Sequence, residues 1–305
     1  MADGERAALD REYDLRARVP EHPAHFAWYD RASEELRARR AAGSRLDLAY
    51  GPTPRQAIDL HRPAEPAPIP VVIFIHGGYW HSQERKRFAF LAEPLLARGV
   101  AVALLGYDLA PAVDLDSITR QARAGFAWLW RNAAPLGLDR ARFAVAGHSA
   151  GGHLTAMLLA TDWPALDLPP APIAAACPIG GIFELEPIRR CYLNDVLALD
   201  KDQVRRLSPI RLPLPAACPT LVAVGGNETR AFLDQSAAFA ARLRGEGLPA
   251  EHRVMAGLDH FGILKAMAEP DASIVAWLGR QLGVIRETIA PETASNQVAV
   301  DRSSS

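Results

Sequence analysis

Apolar positions along this chain follow two rhythms that take turns. Continuous runs rich in Val, Ile, Leu and Ala occupy residues 71–75, 101–105, 142–146, 173–176 and 220–224. A run with no polar alternation suits a strand covered on both faces, and such strands build mostly parallel sheets. Between them, apolar residues recur at helical spacing over 87–98, 115–132, 151–161, 231–244 and 263–282. A further strand is expected at 251–255, before the last helix. This order predicts a three-layer α/β fold, with a mostly parallel central sheet and helices on both faces. Ahead of it, 46–50 and 57–61 alternate apolar with polar residues across a Gly-Pro-Thr-Pro turn, the pattern of a hairpin.

The rhythm fails in three places. Residues 1–43 are charged and rich in Ala and Arg, with an aromatic cluster at His25, Phe26, Trp28 and Tyr29. They predict one or two helices separated near Pro20 and Pro23, serving as an arm packed on the main domain or as a cap over its site. The main domain is expected over 44–285. Within it, 178–215 is Pro-rich and interrupts the alternation, as a lid inserted between two strands would. Residues 286–305 are polar and predict a flexible tail.

Composition narrows the function classes. The 305 residues carry 34 Lys and Arg against 35 Asp and Glu, a net charge of −1, so the whole chain offers no electrostatic footprint for nucleic acid or anionic lipid. No apolar run approaches the ~20 residues of a membrane helix, and the polar start lacks the core of a signal peptide. Three cysteines without a Cys-x-x-Cys pair predict free thiols and a cytoplasmic setting. There is no His-Glu-x-x-His, and the pairs His76/His81 and His148/His153 are five apart, which does not align two ligands on one helix face. No metal is expected. The absence of Gly-x-Gly-x-x-Gly at a strand-to-helix turn argues against a dinucleotide, and no cofactor is expected. The expected partner is a small-molecule amide or ester, with a homodimer left open.

The chemistry concentrates at strand ends. The run 142–146 leads through Gly147-His148-Ser149-Ala150-Gly151 directly into a helix. A sharp strand-to-helix turn needs glycines two residues either side of its centre, and it lifts the central hydroxyl clear of the sheet at a helix N-terminus. Ser149 is therefore the candidate nucleophile. The strand 71–75 ends in His76-Gly77-Gly78-Tyr79-Trp80, where consecutive glycines let backbone N–H groups turn into a cavity, as donors to an oxyanion must. The N–H of Ala150 adds another. A serine nucleophile needs an imidazole. Among nine histidines, His22, His25 and His61 precede the core, His148 and His153 lie too close to Ser149, and His76 belongs to the glycine loop. His260, in a loop after the strand 251–255 and before the last helix, is the candidate, in the chain order nucleophile, acid, histidine. Its carboxylate partner is expected after the strand 220–224, where Glu228 follows Gly225-Gly226-Asn227; Asp234 falls in the next helix, and Asp259 is too near His260 to bond its ring.

The set resembles the α/β-hydrolase superfamily, and within it the esterase and kynurenine formamidase (arylformamidase) branch. The resemblance rests on His76-Gly-Gly-Tyr-Trp80, Gly147-His-Ser-Ala-Gly-Gly-His-Leu154, Gly225-Gly-Asn-Glu228 with Phe232-Leu-Asp-Gln-Ser236, and Asp259-His-Phe261. It implies an α/β-hydrolase fold with a small cap or lid. It also implies an oxyanion hole formed by the N–H groups of Gly78 and Tyr79 together with Ala150. The activity implied is hydrolysis of a small amide or ester through an acyl-enzyme, an aryl formamide such as N-formylkynurenine being the lead substrate. A general carboxylesterase acting on short-chain esters is the alternative, and a non-catalytic binding scaffold a remote one. Trp80, Phe183, Tyr192 and Phe261 are expected around the substrate, and no Lys or Arg can be assigned to that pocket.

Overall fold

In the computed structural model, which describes residues 2–215 and 218–285, the apolar runs become strands of one sheet. In chain order these are β1 (Ser44–Ala49), β2 (Ala57–His61), β3 (Ile69–Ile75), β4 (Ala101–Leu105), β5 (Leu138–His148), β6 (Ala175–Ile179), β7 (Thr220–Gly225) and β8 (Ala250–Met255). Across the sheet they run β1-β2-β4-β3-β5-β6-β7-β8. The β1–β2 hairpin and the β2–β4 pair are antiparallel, and the remaining pairs are parallel.

The helices are α1 (Ala2–Tyr13), α2 (Leu15–Arg18), α3 (His22–Arg39), α4 (Glu93–Leu96), α5 (Leu115–Arg131), α6 (Ala150–Leu159), α7 (Glu186–Arg189), α8 (Asn194–Leu197), α9 (Lys201–Leu207), α10 (Arg230–Gly245), α11 (Gly262–Met267) and α12 (Ser273–Gln281). They cover both faces because the strands are apolar on both. On β3, Val71, Ile73 and Ile75 enter the core shared with Phe126 of α5, Leu154 of α6 and Phe239 of α10. The alternate residues Val72 and Phe74 enter the other core, with Tyr29 of α3 and Trp277 of α12. Period-two side-chain alternation thus feeds two cores from one continuous run. Among the described residues no helix is long and apolar enough to cross a membrane.

Strand order reverses between β3 and β5: the chain builds β4 on one side of β3 and β5 on the other. At such a switch point the loops leaving adjacent strands diverge and open a crevice at their carboxyl ends. The glycine loop after β3 and Ser149 after β5 meet there, with Ile75 registered against Gly147.

Several boundaries differ from the sequence expectation, each for a local reason. The single helix expected over 263–282 is two, interrupted around Pro270, which has no N–H for the helical ladder. The helix expected over 87–98 is a 3₁₀ stretch, Arg85–Ala92, followed by α4; Pro94 cannot donate to the Phe90 carbonyl. The strand expected at 173–176 lies at Ala175–Ile179, so Pro178, expected to open the insertion, is paired opposite Gly147 inside the sheet. The amino-terminal segment holds three helices, broken at 19–21, with Pro23 tolerated in the first turn of α3. The expected tail, 286–305, lies outside the described residues.

Candidate active site

The turn from β5 into α6 holds Ser149 at φ +58° and ψ −119°, left-handed backbone that a non-glycine residue adopts at a cost of about 1–3 kcal/mol. The flanking glycines have no substitute. A Cβ on Gly147 would come within 2.2 Å of the Gly151 carbonyl oxygen, and one on Gly151 within 2.0 Å of the Ile75 carbonyl oxygen. The Ser149 N–H donates to the Ile179 carbonyl at 2.8 Å, pinning the turn to β6.

The loop after β3 closes against this turn. A Cβ on Gly77 would lie 2.8 Å from the His148 carbonyl oxygen and 3.0 Å from Ser149 Cβ, so only glycine permits the approach. Gly78, Tyr79 and Trp80 are all left-handed, at φ +108°, +48° and +58°. Among the described residues no oxygen accepts a hydrogen bond from the N–H of Gly78, Tyr79 or Ala150. Three free backbone donors therefore border Ser149. His76 anchors the loop from beneath: its Nδ1 lies 2.8 Å from the Gly77 carbonyl oxygen, and its ring stacks on Tyr107 at 4.2 Å. Burial lowers its pKa to about 3, so the ring is neutral.

The imidazole and carboxylate come from the far side of the sheet. β7 and β8 are in register at Gly225 and Met255, and the loops leaving them bring Glu228 Oε2 to 2.6 Å from His260 Nδ1. Both side chains are buried, and the Gly225 N–H donates to the other Glu228 oxygen at 3.0 Å. The two rejected aspartates have other duties. Asp234 is exposed and bonded to Arg230 at 2.8 Å, whereas Asp259 Oδ1 accepts the N–H groups of Phe261 and Gly262 at 2.8 and 2.7 Å. His260 and Ser149 line one cavity of about 220 Å³.

The BD-FAE family model matches residues 58–167. Kynurenine formamidase of Danio rerio is 31% identical over 253 residues, covering 81% of this chain and 85% of the relative. That of Salmo salar is 31% identical over 255 residues with the same coverage. A crystal structure from Silicibacter sp. tm1040, suggested to be a thioesterase, superposes with a TM-score of 0.78 at 31% identity, over 88% of this chain and 97% of that one. The chain belongs to the kynurenine formamidase family. It is a hydrolase with the α/β-hydrolase fold.

Of the four residues expected around the substrate, Tyr192 and Phe261 of this kynurenine formamidase relative reach the cavity wall and Trp80 and Phe183 do not; the ring of Tyr79, from the glycine loop, lies there as well. Trp80 is fully buried, edge-on to His153 at 5.0 Å; the left-handed turn sends adjacent rings apart, Tyr79 to the cavity and Trp80 to the core. Phe183 is also fully buried, stacked on Phe239 of α10 at 4.2 Å. Both face the core because the segments carrying them must cover the sheet before they can border a cavity.

Other walls come from residues that motif reasoning passed over. Leu15, Phe26 and Tyr29 reach the cavity from the amino-terminal helices, beside Phe88 and Leu264. The aromatic cluster at 25–29 was their one visible signal. His148 is the other omission. Its Nε2 lies 2.8 Å from the His260 carbonyl oxygen and the two rings are 4.3 Å apart, so it borders the imidazole rather than the serine. Burial first, and then the neighbouring His260, hold its pKa well below the usual value. It is a neutral prop.

Proposed function

We propose that this protein is a serine hydrolase of aryl formamides, with N-formylkynurenine as its substrate. The observation that carries the reading is the 2.6 Å pairing of Glu228 with His260, whose ring lines the same small cavity as Ser149. Ser149 Oγ attacks the formyl carbon while His260 Nε2 takes its proton, and Glu228 holds the ring in the tautomer that leaves Nε2 free. The free N–H groups of Gly78, Tyr79 and Ala150 receive the oxyanion. Collapse expels the arylamine, protonated by His260. A water then attacks the formyl ester with His260 again as base, releasing formate and restoring Ser149. Formyl is the smallest acyl group and asks for little room beside the serine. The aromatic walls formed by Phe26, Tyr29, Tyr79, Phe88 and Phe261 suit the arene.

The thioesterase suggestion for the Silicibacter structure favours a second reading, hydrolysis of short-chain esters. Parallel kinetics with N-formylkynurenine and with p-nitrophenyl esters of increasing acyl length separate the two. Higher kcat/KM for the formamide is expected, lost in Ser149→Ala together with fluorophosphonate labelling. A kcat/KM that climbs steadily with acyl length would overturn the formamidase reading in favour of the esterase. A cytoplasmic setting belongs to the same proposal, supported by Cys177, Cys191 and Cys218, all buried and free.

A further inference from the structure

The amide that a formamidase cleaves carries a hydrogen-bond donor of its own, the N–H on the leaving nitrogen. The reaction above gives that N–H no partner, although a donor left unpaired in a mostly aromatic cavity is costly. His148 offers the matching acceptor. Its Nε2 lies 2.8 Å from the His260 carbonyl oxygen, which only accepts, so Nε2 carries the one proton of the neutral ring and Nδ1 keeps a lone pair. Among the described residues nothing donates to Nδ1. The unpaired nitrogens of two other buried histidines, His76 Nε2 and His153 Nδ1, are sealed in the core, whereas His148 lines the cavity and its Nδ1 is open to it. The acceptor also stands beside the nucleophile. The point that a Cβ on Gly77 would occupy is 3.0 Å from Ser149 Cβ and 3.3 Å from His148 Nδ1, so serine and acceptor flank one glycine of the oxyanion loop.

We infer that His148 Nδ1 accepts the N–H of the scissile formamide and so raises turnover of amides relative to esters with the same acyl and aryl groups. The inference rests on the formamidase reading and adds to it a residue outside the triad and the oxyanion donors. As Ser149 Oγ bonds to the formyl carbon, the nitrogen becomes pyramidal and gains a localised lone pair. That lone pair must face the His260 Nε2–H before the C–N bond can break. An acceptor that fixes the N–H fixes the lone pair with it. The proton taken from Ser149 passes through His260 to the nitrogen, the C–N bond breaks, and the arylamine leaves with that proton and its original N–H. His148 neither gains nor loses a proton. An ester oxygen has no N–H to hold, so Nδ1 does nothing for it. Because the nitrogen turns pyramidal only on the way to the transition state, the contact acts on kcat more than on KM.

The test is steady-state kinetics of the full chain on formanilide, phenyl formate and N-methylformanilide. All three share the formyl and phenyl groups, and the first alone has an N–H. His148→Gln carries an NH2 that can reach the His260 carbonyl but has no acceptor at the Nδ1 position. His148→Asn does the reverse, with an acceptor near Nδ1 and no reach to that carbonyl. The ratio of kcat/KM for formanilide to that for phenyl formate should fall about five- to tenfold in His148→Gln, through kcat. In His148→Asn both rates should fall by a common factor and the ratio should hold. Wild type should cleave formanilide about tenfold or more faster than N-methylformanilide, and His148→Gln should close most of that gap. Equal rates on the two anilides in wild type overturn the acceptor, a result that needs no variant to fold. So does an equal loss of formanilide and phenyl formate activity in His148→Gln, or a ratio that falls as far in His148→Asn. Cleavage of phenyl formate by a wild type that leaves both formanilide and N-formylkynurenine intact would instead remove the formamidase reading, and this inference with it.

Discussion

The carboxyl ends of the strands and the amino-terminal helices above them build opposite sides of one cavity by different means. On the sheet side, Gly78, Ser149, Glu228 and His260 each lie within five residues of a strand end, and strand register decides how they meet. On the helical side, contact is made by side chains reaching across the chain, mostly to backbone. Tyr29 Oη donates to the Phe261 carbonyl at 2.5 Å, Tyr79 Oη to the Tyr13 carbonyl at 2.7 Å, and the Ala231 N–H to Glu12 at 2.8 Å. The Tyr192 N–H donates to Asp10 at 2.7 Å, and Arg87 pairs with both oxygens of Asp30 at 2.6 and 2.7 Å. Chemistry rests on backbone geometry that a few local residues dictate; selection rests on long-range packing that no short stretch dictates. Damage to the two sides should therefore differ in kind, turnover on one and affinity or stability on the other.

The sharpest break is on the sheet side. Ser149→Ala should lower kcat by about 10⁵-fold or more, as loss of a triad nucleophile does. Glu228→Gln should lower it by about 10⁴-fold, because the imidazole is no longer held in the working tautomer. Glu228→Asp should lose less, since the charge survives with shorter reach, and exposed Asp234→Asn should be silent. Steady-state kinetics with circular dichroism as a fold control read all four. An inactive Asp234→Asn beside an active Glu228→Gln would reassign the carboxylate.

This asymmetry also explains what the sequence made legible. Ser149 and Glu228 could be read because each follows an apolar run that can only be a buried strand, and because Gly147 and Gly151 serve a turn that excludes any side chain; His260 follows the half-exposed edge strand β8 and could be read only from its place in chain order. Trp80 and Phe183 misled because an aromatic near a catalytic motif does not declare which way its backbone turns it. Pro178 misled because proline usually ends a strand, whereas here it is paired within one. His148 was discarded on its distance from Ser149, but its partner, the His260 carbonyl, lies 112 residues away in sequence. The cavity walls from α2 and α3 left only a cluster of rings as a trace, since nothing local says what an amphipathic helix will cover.

Acid should strike the sheet side first. His76 and His153, with pKa values lowered by burial to about 3 and about 4, and His148, held well below 6.5, are neutral in the folded chain. Unfolded, each takes a proton near pH 6.5. Below that pH the unfolded state binds more protons than the folded one, so stability present above pH 6.5 drains away as pH falls toward the folded values. Each histidine contributes about 1.4 kcal/mol per pH unit in this window, about 4 kcal/mol for the three together. Thermal unfolding followed from pH 8 to pH 4.5 should show the decline. His153→Gln, able to keep a bond to the Leu207 carbonyl, should remove one proton from the slope. An unchanged slope would mean that His153 is charged in the fold.

Gly78 sits where the two sides touch, its backbone on the oxyanion loop and its neighbour Tyr79 bonded to the amino-terminal helices. A Cβ there would meet the Ser82 carbonyl oxygen at 2.3 Å on backbone at φ +108°. Gly78→Val should displace the loop and lower kcat by about 10²- to 10³-fold, the size of one lost oxyanion donor. Tyr79→Phe keeps the backbone N–H and removes only the bond to Tyr13, so kcat should stay near wild type. Similar kcat losses in the two variants would dissolve the division between chemistry and support.

Tyr29→Phe is the mildest change and tests the helical side alone. The tyrosine is buried, stacked on Phe90 at 4.9 Å, and its hydroxyl donates to the carbonyl of Phe261, the residue after His260. Phenylalanine keeps the stacking and leaves that carbonyl only the Leu264 N–H at 3.2 Å, a loss of about 1 kcal/mol. In a chain of this length that is a fall in Tm of about 2 °C. The imidazole itself is held from elsewhere, by Glu228 on one face and the His148 ring on another. Its alignment should survive, with kcat changed no more than about twofold and KM for an aryl substrate raised a little as the wall loosens. Calorimetry and kinetics on the one variant decide the matter. A hundredfold fall in kcat with Tm intact would make the amino-terminal helices part of the catalytic apparatus, and the two sides would no longer be separable.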